Sequence, residues 1–268
     1  MYLNHEQTLT DGYMKIRNRK SVFFRYICIY FTAITVLLAL VFPIYRVALD
    51  GVRKNVVNDY SIVIEQGVAK LKKSFESVMR LDYKITDSDY MVIKQMSDGL
   101  LAPPDYVKLR NAHRIFSSYA LSVDIASEIF VVFKKSSFIM STASTYISNV
   151  EFFEKFMIYQ NYSSGDMYSI LSNNTESVRL LPLTPIKSPY FSNSTDVGCI
   201  TFVAHNSGSP VNICAVYKLS DIESLFNMPM LPGNAFIEFI DTAKTNILST
   251  KNDISDDEYF TIEQSVPS

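Results

Sequence analysis

The chain has 268 residues, 48% hydrophobic and 19% charged, with a formal net charge of −2. That near-neutral balance gives no support to nucleic-acid binding by this segment. Trp is absent, and 17 Tyr and 18 Phe supply the aromatic core volume.

The first predicted element lies in RYICIYFTAITVLLALVFPIYR, residues 25–46, where twenty residues without a charge separate Arg25 from Arg46. Twenty helical residues rise about 30 Å, the thickness of a bilayer's hydrocarbon core. Eleven of the twenty are Ile, Leu, Val or Phe, and they favour insertion by about 3 to 7 kcal/mol. Thr32 and Thr35 can bond back to their own helix. Tyr26, Tyr30 and Tyr45 fall near the two ends, as an interfacial belt does. A soluble core helix rarely runs this far without a charge on any face. A cleavable signal peptide has a shorter apolar segment and a small-x-small site after it. The expectation is an uncleaved transmembrane helix over 22–46. Lys15, Arg17, Arg19, Lys20 and Arg25 precede it, against Arg46, Arg53 and Lys54 after it. The basic excess predicts a cytoplasmic tail over 1–21 and places residues 47–268 outside the cell membrane.

Leu49, Val52, Val56, Tyr60, Ile64, Val68, Leu71, Phe75 and Val78 then recur at three- and four-residue steps. They predict an amphipathic stalk helix over 47–82, packed along its own domain and spaced to make a dimer contact as well. ITDSDYMVIKQM reads as a second helix capped by Asp87 or Ser88. APPDYVKLRNAHRIFSSYALS reads as a third, with Pro104 near its first turn and Leu109, Ala112, Phe116 and Tyr119 on its buried face. SEIFVVFKKSSFIMSTAS predicts two strands around KKSS, and NVEFFEKFMIYQ a short helix. Residues 161–196, rich in Ser, Asn and Pro, read mostly as loop, with one strand at 178–181. GCITFVAHNSGSPVNICAVYKL is a hairpin. If its turn centres on Gly208, Phe202 faces Cys214 and Cys199 points to the opposite face, so no disulfide is expected. LSDIESLF is a helix with Ser220 as N-cap and Glu223 completing a capping box, and NAFIEFIDTAKTNILST gives two more strands. The order predicts an α+β fold with an antiparallel sheet. YFTIEQSVPS at the end is strand-like and has no closing element, so a truncated second module is expected.

RKSVFFRYICIYF, and SSYALSVDIASEIFVVFKKSSFIMSTASTYISNVEFFEKF after the long helix, resemble the sensor half of membrane-anchored regulators of Firmicutes. LSDIESLF followed by GNAFIEFIDTAKTNILST resembles the passage between the two modules of such sensors. The resemblance implies a double Cache domain, a pair of PAS-like modules threaded on a long first helix. It divides the chain into a membrane-distal module over 83–229 and the start of a membrane-proximal one over 230–268. It also implies an AraC-type helix-turn-helix output beyond these residues, through which DNA would be bound, or alternatively a histidine kinase.

No Gly-rich phosphate loop, H-E-x-x-H or C-x-x-C occurs. His5, His113 and His205 are scattered, with His113 read as a surface residue, and DISDDEY lacks the spacing and Gly of an EF-hand loop. No catalytic residue, metal or cofactor is expected. In Cache modules the ligand sits between the sheet and the helices and loops covering it, and Tyr146, Tyr190, His205 and Tyr217 are the candidate lining residues. The expected partners are the membrane, a second copy of the chain, and a small extracellular solute such as a sugar or its carrier lipoprotein. A membrane-tethered surface enzyme or adhesion protein is the rival from another class.

Overall fold

The computed structural model describes residues 5–98, 106–143, 147–191, 196–226, 238–240 and 246–249. The chain divides into two units, Met1–Tyr60 and Ser61–Ser268. Helix α1 (His5–Ser97) contributes to both.

In the first unit, α1 carries the apolar run through Pro43 as helix. It is long and apolar enough to cross a membrane. Thr32 and Thr35 donate to the carbonyls of Cys28 and Phe31, so their hydroxyls are satisfied without water. Leu49, Val52 and Val56 remain 42–61% exposed.

In the second unit the same periodicity covers a sheet. Leu71, Val78, Leu81, Ile85 and Ile93 of α1 are buried, and Leu109, Ala112, Phe116 and Ala120 of α2 (Tyr106–Ala120) join them. Tyr119, expected on that face, is 36% exposed and lies under the Lys84 ammonium. The break expected at Asp87 or Ser88 does not occur, because α1 continues to Ser97. A cap needs a chain reversal nearby, and no Gly or Pro stands between Gly67 and Gly99.

Seven antiparallel strands form the main sheet: β1 (Glu128–Phe133), β2 (Phe138–Ser141), β3 (Ile147–Ser148), β4 (Ile158–Tyr159), β5 (Val178–Lys187), β6 (Val197–Ala204) and β7 (Val211–Lys218). Their order is β3-β2-β1-β7-β6-β5-β4, which makes the first strand and the last neighbours at its centre. A separate pair is formed by β8 (Glu238–Ile240) and β9 (Asn246–Ser249). Alternation along β1 sends Ile129, Val131 and Phe133 to the α1–α2 face and Phe130 and Val132 to the other. That second face is covered by α3 (Asn149–Glu151), the π-helical turn Phe152–Phe156 and α4 (Ser164–Ser172). Both faces are thus dry, so β1 reads as an unbroken apolar run after Glu128.

Three local readings are corrected. The NVEFFEKF helix is a single α turn capped by Ser148 that widens into the π turn, closed by Met157 N–H donating to Phe152 C=O. This places consecutive Phe152 and Phe153 together in the core. Residues 161–196 hold α4, capped by Ser163 through Asp166 N–H, and a ten-residue β5. Pro182 lies within the register shift between Leu181 and Thr184. Pro185 accepts from Gln160 N–H, so its missing donor faces the edge that β4 only partly covers. Helix α5 (Leu219–Leu225) starts directly from β7 with Lys218 at the cap position and no side-chain cap bond, so Ser220 is not the N-cap.

The hairpin register is one residue from the expected one. Cys214 faces Val203, and Phe202 faces Ala215. Cys199 therefore shares a face with Cys214 rather than opposing it, but it pairs with Lys218, and both cysteines are free and buried. Gly208, at φ +85°, is the left-handed turn residue. Ile125 adopts φ 78° without being glycine. Ser74 donates to the adjacent Asp124 carbonyl, and Ile125 packs against the core, which together hold a conformation costing about 1–3 kcal/mol.

Candidate functional site

With both sheet faces filled, polar groups gather at the two ends of β1. At its start Glu128 is 7% exposed and accepts from the Thr142 hydroxyl at 2.6 Å. Burial raises its pKa, opposed by the bonds from Thr142. On the same side Tyr190, 36% exposed, stacks on Phe156 with centroids 5.9 Å apart and planes 14° from parallel. Its phenol is raised by burial and then by the charge of Glu128. A half-open aromatic plate and a recessed carboxyl are groups that can hold a small solute by stacking and by accepting hydrogen bonds from its hydroxyls.

At the other end, the β1–β2 turn meets the β6–β7 turn. Lys134 Nζ lies 3.0 Å from His205 Nδ1. An ammonium has no acceptor, so that ring nitrogen accepts and His205 is neutral. Burial and then the Lys134 charge lower the His205 pKa. Asp82 of α1, 1% exposed, accepts from the Ser209 hydroxyl at 3.1 Å. Burial raises its pKa to about 6 against the bonds from Ser209 and Asn206 and the charge of Lys134. Asn212 Nδ2 donates to the carbonyl of Leu171 at 2.7 Å, with the Asn174 carbonyl 3.2 Å away, tying the end of α4 to β7.

The three candidate lining residues that are described, Tyr190, His205 and Tyr217, are not brought together. Tyr190 stands on the rim with Glu128, whereas His205 belongs to the turn cluster. Tyr217 is fully buried on the α1–α2 face. Ser74 spends its proton on Asp124, so the Tyr217 hydroxyl, 3.1 Å from Ser74 Oγ, is the donor between them. Tyr217 is thus a structural residue of that face. Tyr146 lies outside the described residues. His113 is half-buried, with Nε2 at 2.9 Å from the Ser141 carbonyl, and is not a free surface residue. Glu128 and Asp82 escaped the sequence reading because one carboxylate in a strand or helix carries no signal until its burial is known. Among the described residues no three His, Cys, Asp or Glu side chains converge as metal ligands.

No family model, curated protein or solved structure matches the chain.

Proposed function

We propose that residues 47–268 form the extracytoplasmic signal-sensing region of a membrane-anchored bacterial regulator, held by the apolar span of α1 with its N-terminus in the cytoplasm. The observation that carries this reading is the architecture of the second unit. An antiparallel sheet is covered on both faces by helices, and one of the covering helices is the same α1 that bears the apolar run. A PAS-like Cache module carried on a long first helix has that arrangement. The region is non-enzymatic. Its ligand is a small extracellular solute, such as a sugar, met at the rim of Glu128, Thr142, Phe156 and Tyr190. The output beyond these residues is an AraC-type DNA-binding domain, with a histidine kinase as the alternative. A ligand acts by binding one arrangement of the module more tightly than another, within a dimer.

The test has two arms. Protease added to intact cells should degrade the region after Arg46 and spare the N-terminal tail, and survival of the whole chain would overturn the topology. A thermal-shift screen of the full chain in detergent against sugars should return a stabilising solute whose effect is lost in Tyr190→Ala. A stabilising solute unaffected by Tyr190→Ala would move the site elsewhere, and a complete panel without any shift would overturn the sugar assignment.

A further inference from the structure

The cluster at the β6–β7 turn is not used by solute binding at the opposite end of β1, and it joins three elements. From α1 come Asp82, on the buried face that holds Val78, Leu81 and Ile85, and Ser97, with Asp98 directly after the helix end. The β6–β7 turn supplies Ser209 to Asp82, the Pro210 carbonyl to Ser97 Oγ at 3.1 Å, and His205. The β1–β2 turn supplies Lys134, whose N–H donates to that same Pro210 carbonyl, and Lys135, paired with Asp98 at 3.1 Å. Its charged and titratable members are therefore Asp82, Asp98, Lys134, Lys135 and His205. Asp98 and Lys135 meet at the exposed edge, whereas Asp82 is sealed between α1 and the turn.

We propose that this cluster is a proton-operated latch between α1 and the β6–β7 turn, closed when Asp82 carries a proton and loosened when it is ionised. A carboxylate withdrawn from water loses solvation that a carboxylic acid does not need, so enclosure favours the acid. Opening the latch returns Asp82 to water and to an ordinary affinity for protons. Neutral Asp82 keeps the Ser209 bond and has a proton of its own to donate. Because α1 is also the helix with the apolar run, the latch makes the docking of that helix on the sheet sensitive to external acidity.

The sign follows from linkage. A carboxyl raised in the closed state contributes stability below its ordinary pKa, and loses it as pH rises through the raised value. Between 3.8 and about 6, that predicts roughly a tenfold rise in the opening constant from pH 5 to pH 7, level above. His205, depressed by burial, acts in the opposite direction: its charging loosens the cluster as pH falls.

The experiment is hydrogen exchange of the full chain in lipid nanodiscs from pH 5 to pH 8, corrected for intrinsic rates, on peptides covering 78–85 and 206–212. The wild type should lose protection about tenfold toward pH 7, and Asp82→Asn should hold the acid level throughout. Lys134→Met should carry the loss to higher pH, because it removes the cation that favours ionised Asp82. His205→Gln should leave the loss at least as steep. Flat protection in the wild type, or an unchanged pH profile in Asp82→Asn, would overturn the latch. If Asp82→Asn does not fold, the Lys134→Met profile decides, and an unmoved profile there is equally fatal.

Discussion

Gly67 is where α1 is most tightly constrained. A Cβ built there lies 2.6 and 2.7 Å from two ring carbons of Phe226 and 3.1 Å from the Leu225 carbonyl oxygen. Phe226 is 3% exposed and closes α5. Its ring is no flexible chain end: it turns on two torsions and is walled by the core. Gly67→Ala therefore sets two effects against each other. Helix propensity favours Ala by about 1 kcal/mol, while forcing an extra carbon into a packed contact costs about 1–3 kcal/mol. Because the contact is far inside van der Waals distance and a backbone oxygen stands behind it, the upper half of that range applies. The expected net change is a loss of about 1–2 kcal/mol, roughly 2–8 °C in Tm for a unit of this size. Gly51→Ala is the matched control, because nothing lies within 4 Å of its added Cβ, so propensity acts alone and stability does not fall. Near-UV circular dichroism follows the second unit through buried Tyr159 and Tyr217, independently of helix content. If Gly67→Ala proved as harmless as Gly51→Ala, the packing of Phe226 on α1 would be refuted.

Further outcomes are expected elsewhere in the core. Tyr159→Phe removes the hydroxyl 2.9 Å from Thr201 Oγ1 and should cost about 1–3 kcal/mol by thermal melting, because Thr201 is 1% exposed and loses its partner. Burial pushes the Cys199 thiol up to about 12 and raises that of Cys214 as well. Native protein at pH 8 should therefore resist iodoacetamide at both positions by peptide mass mapping, and react at both in urea. Rapid native labelling of Cys214 would contradict the register that turns it toward the covered face.

What the sequence discloses and what it hides divide along physical lines. The apolar run is legible because twenty consecutive uncharged residues leave no polar face on a helix, the length and composition a bilayer crossing needs. β1, β2, β6 and β7 are legible because burial on both sides makes most of their positions apolar, with β-branched and aromatic residues prominent among them. The start of β5 is legible at 178–181, but its continuation to Lys187 is hidden by Pro182 and Pro185, which argue for a loop until a bulge and a half-covered edge are known to receive them. α4 is hidden by surroundings rich in Ser and Asn, although Ser163 and Asp166 form a local cap. The one-residue error in the hairpin is the smallest available, yet it is enough to reverse the face of Cys199, because a strand's period is two. Tyr217 reads from the sequence only as a candidate lining residue, because a Tyr in a hairpin strand suits a pocket and a core equally. Only the packing of Phe75 against Phe202 and Tyr217, with centroids at 4.4 and 5.3 Å, closes that face.

The filling of both faces also limits where a signal can enter. Phe130, Phe152, Phe153 and Met157 occupy one side of the central strands, and Phe75, Phe116 and Phe202 the other. A solute placed flat on either side would have to displace several of them, and truncating even one such side chain costs about 3–5 kcal/mol. Few small ligands repay that several times over. Contact at the rims requires no such repacking, and the rims are where the recessed carboxyls stand. Glu128 marks the first residue of β1, and Lys134 follows its last, so the two polar ends lie about 20 Å apart along an extended strand. One strand thus separates the corner proposed for a solute from the one proposed to respond to protons. Because β1 pairs with β7 along its whole length, the two corners share a stiff element rather than a mobile loop. Mutations at one end that change exchange protection at the other would measure how much of that stiffness is coupling.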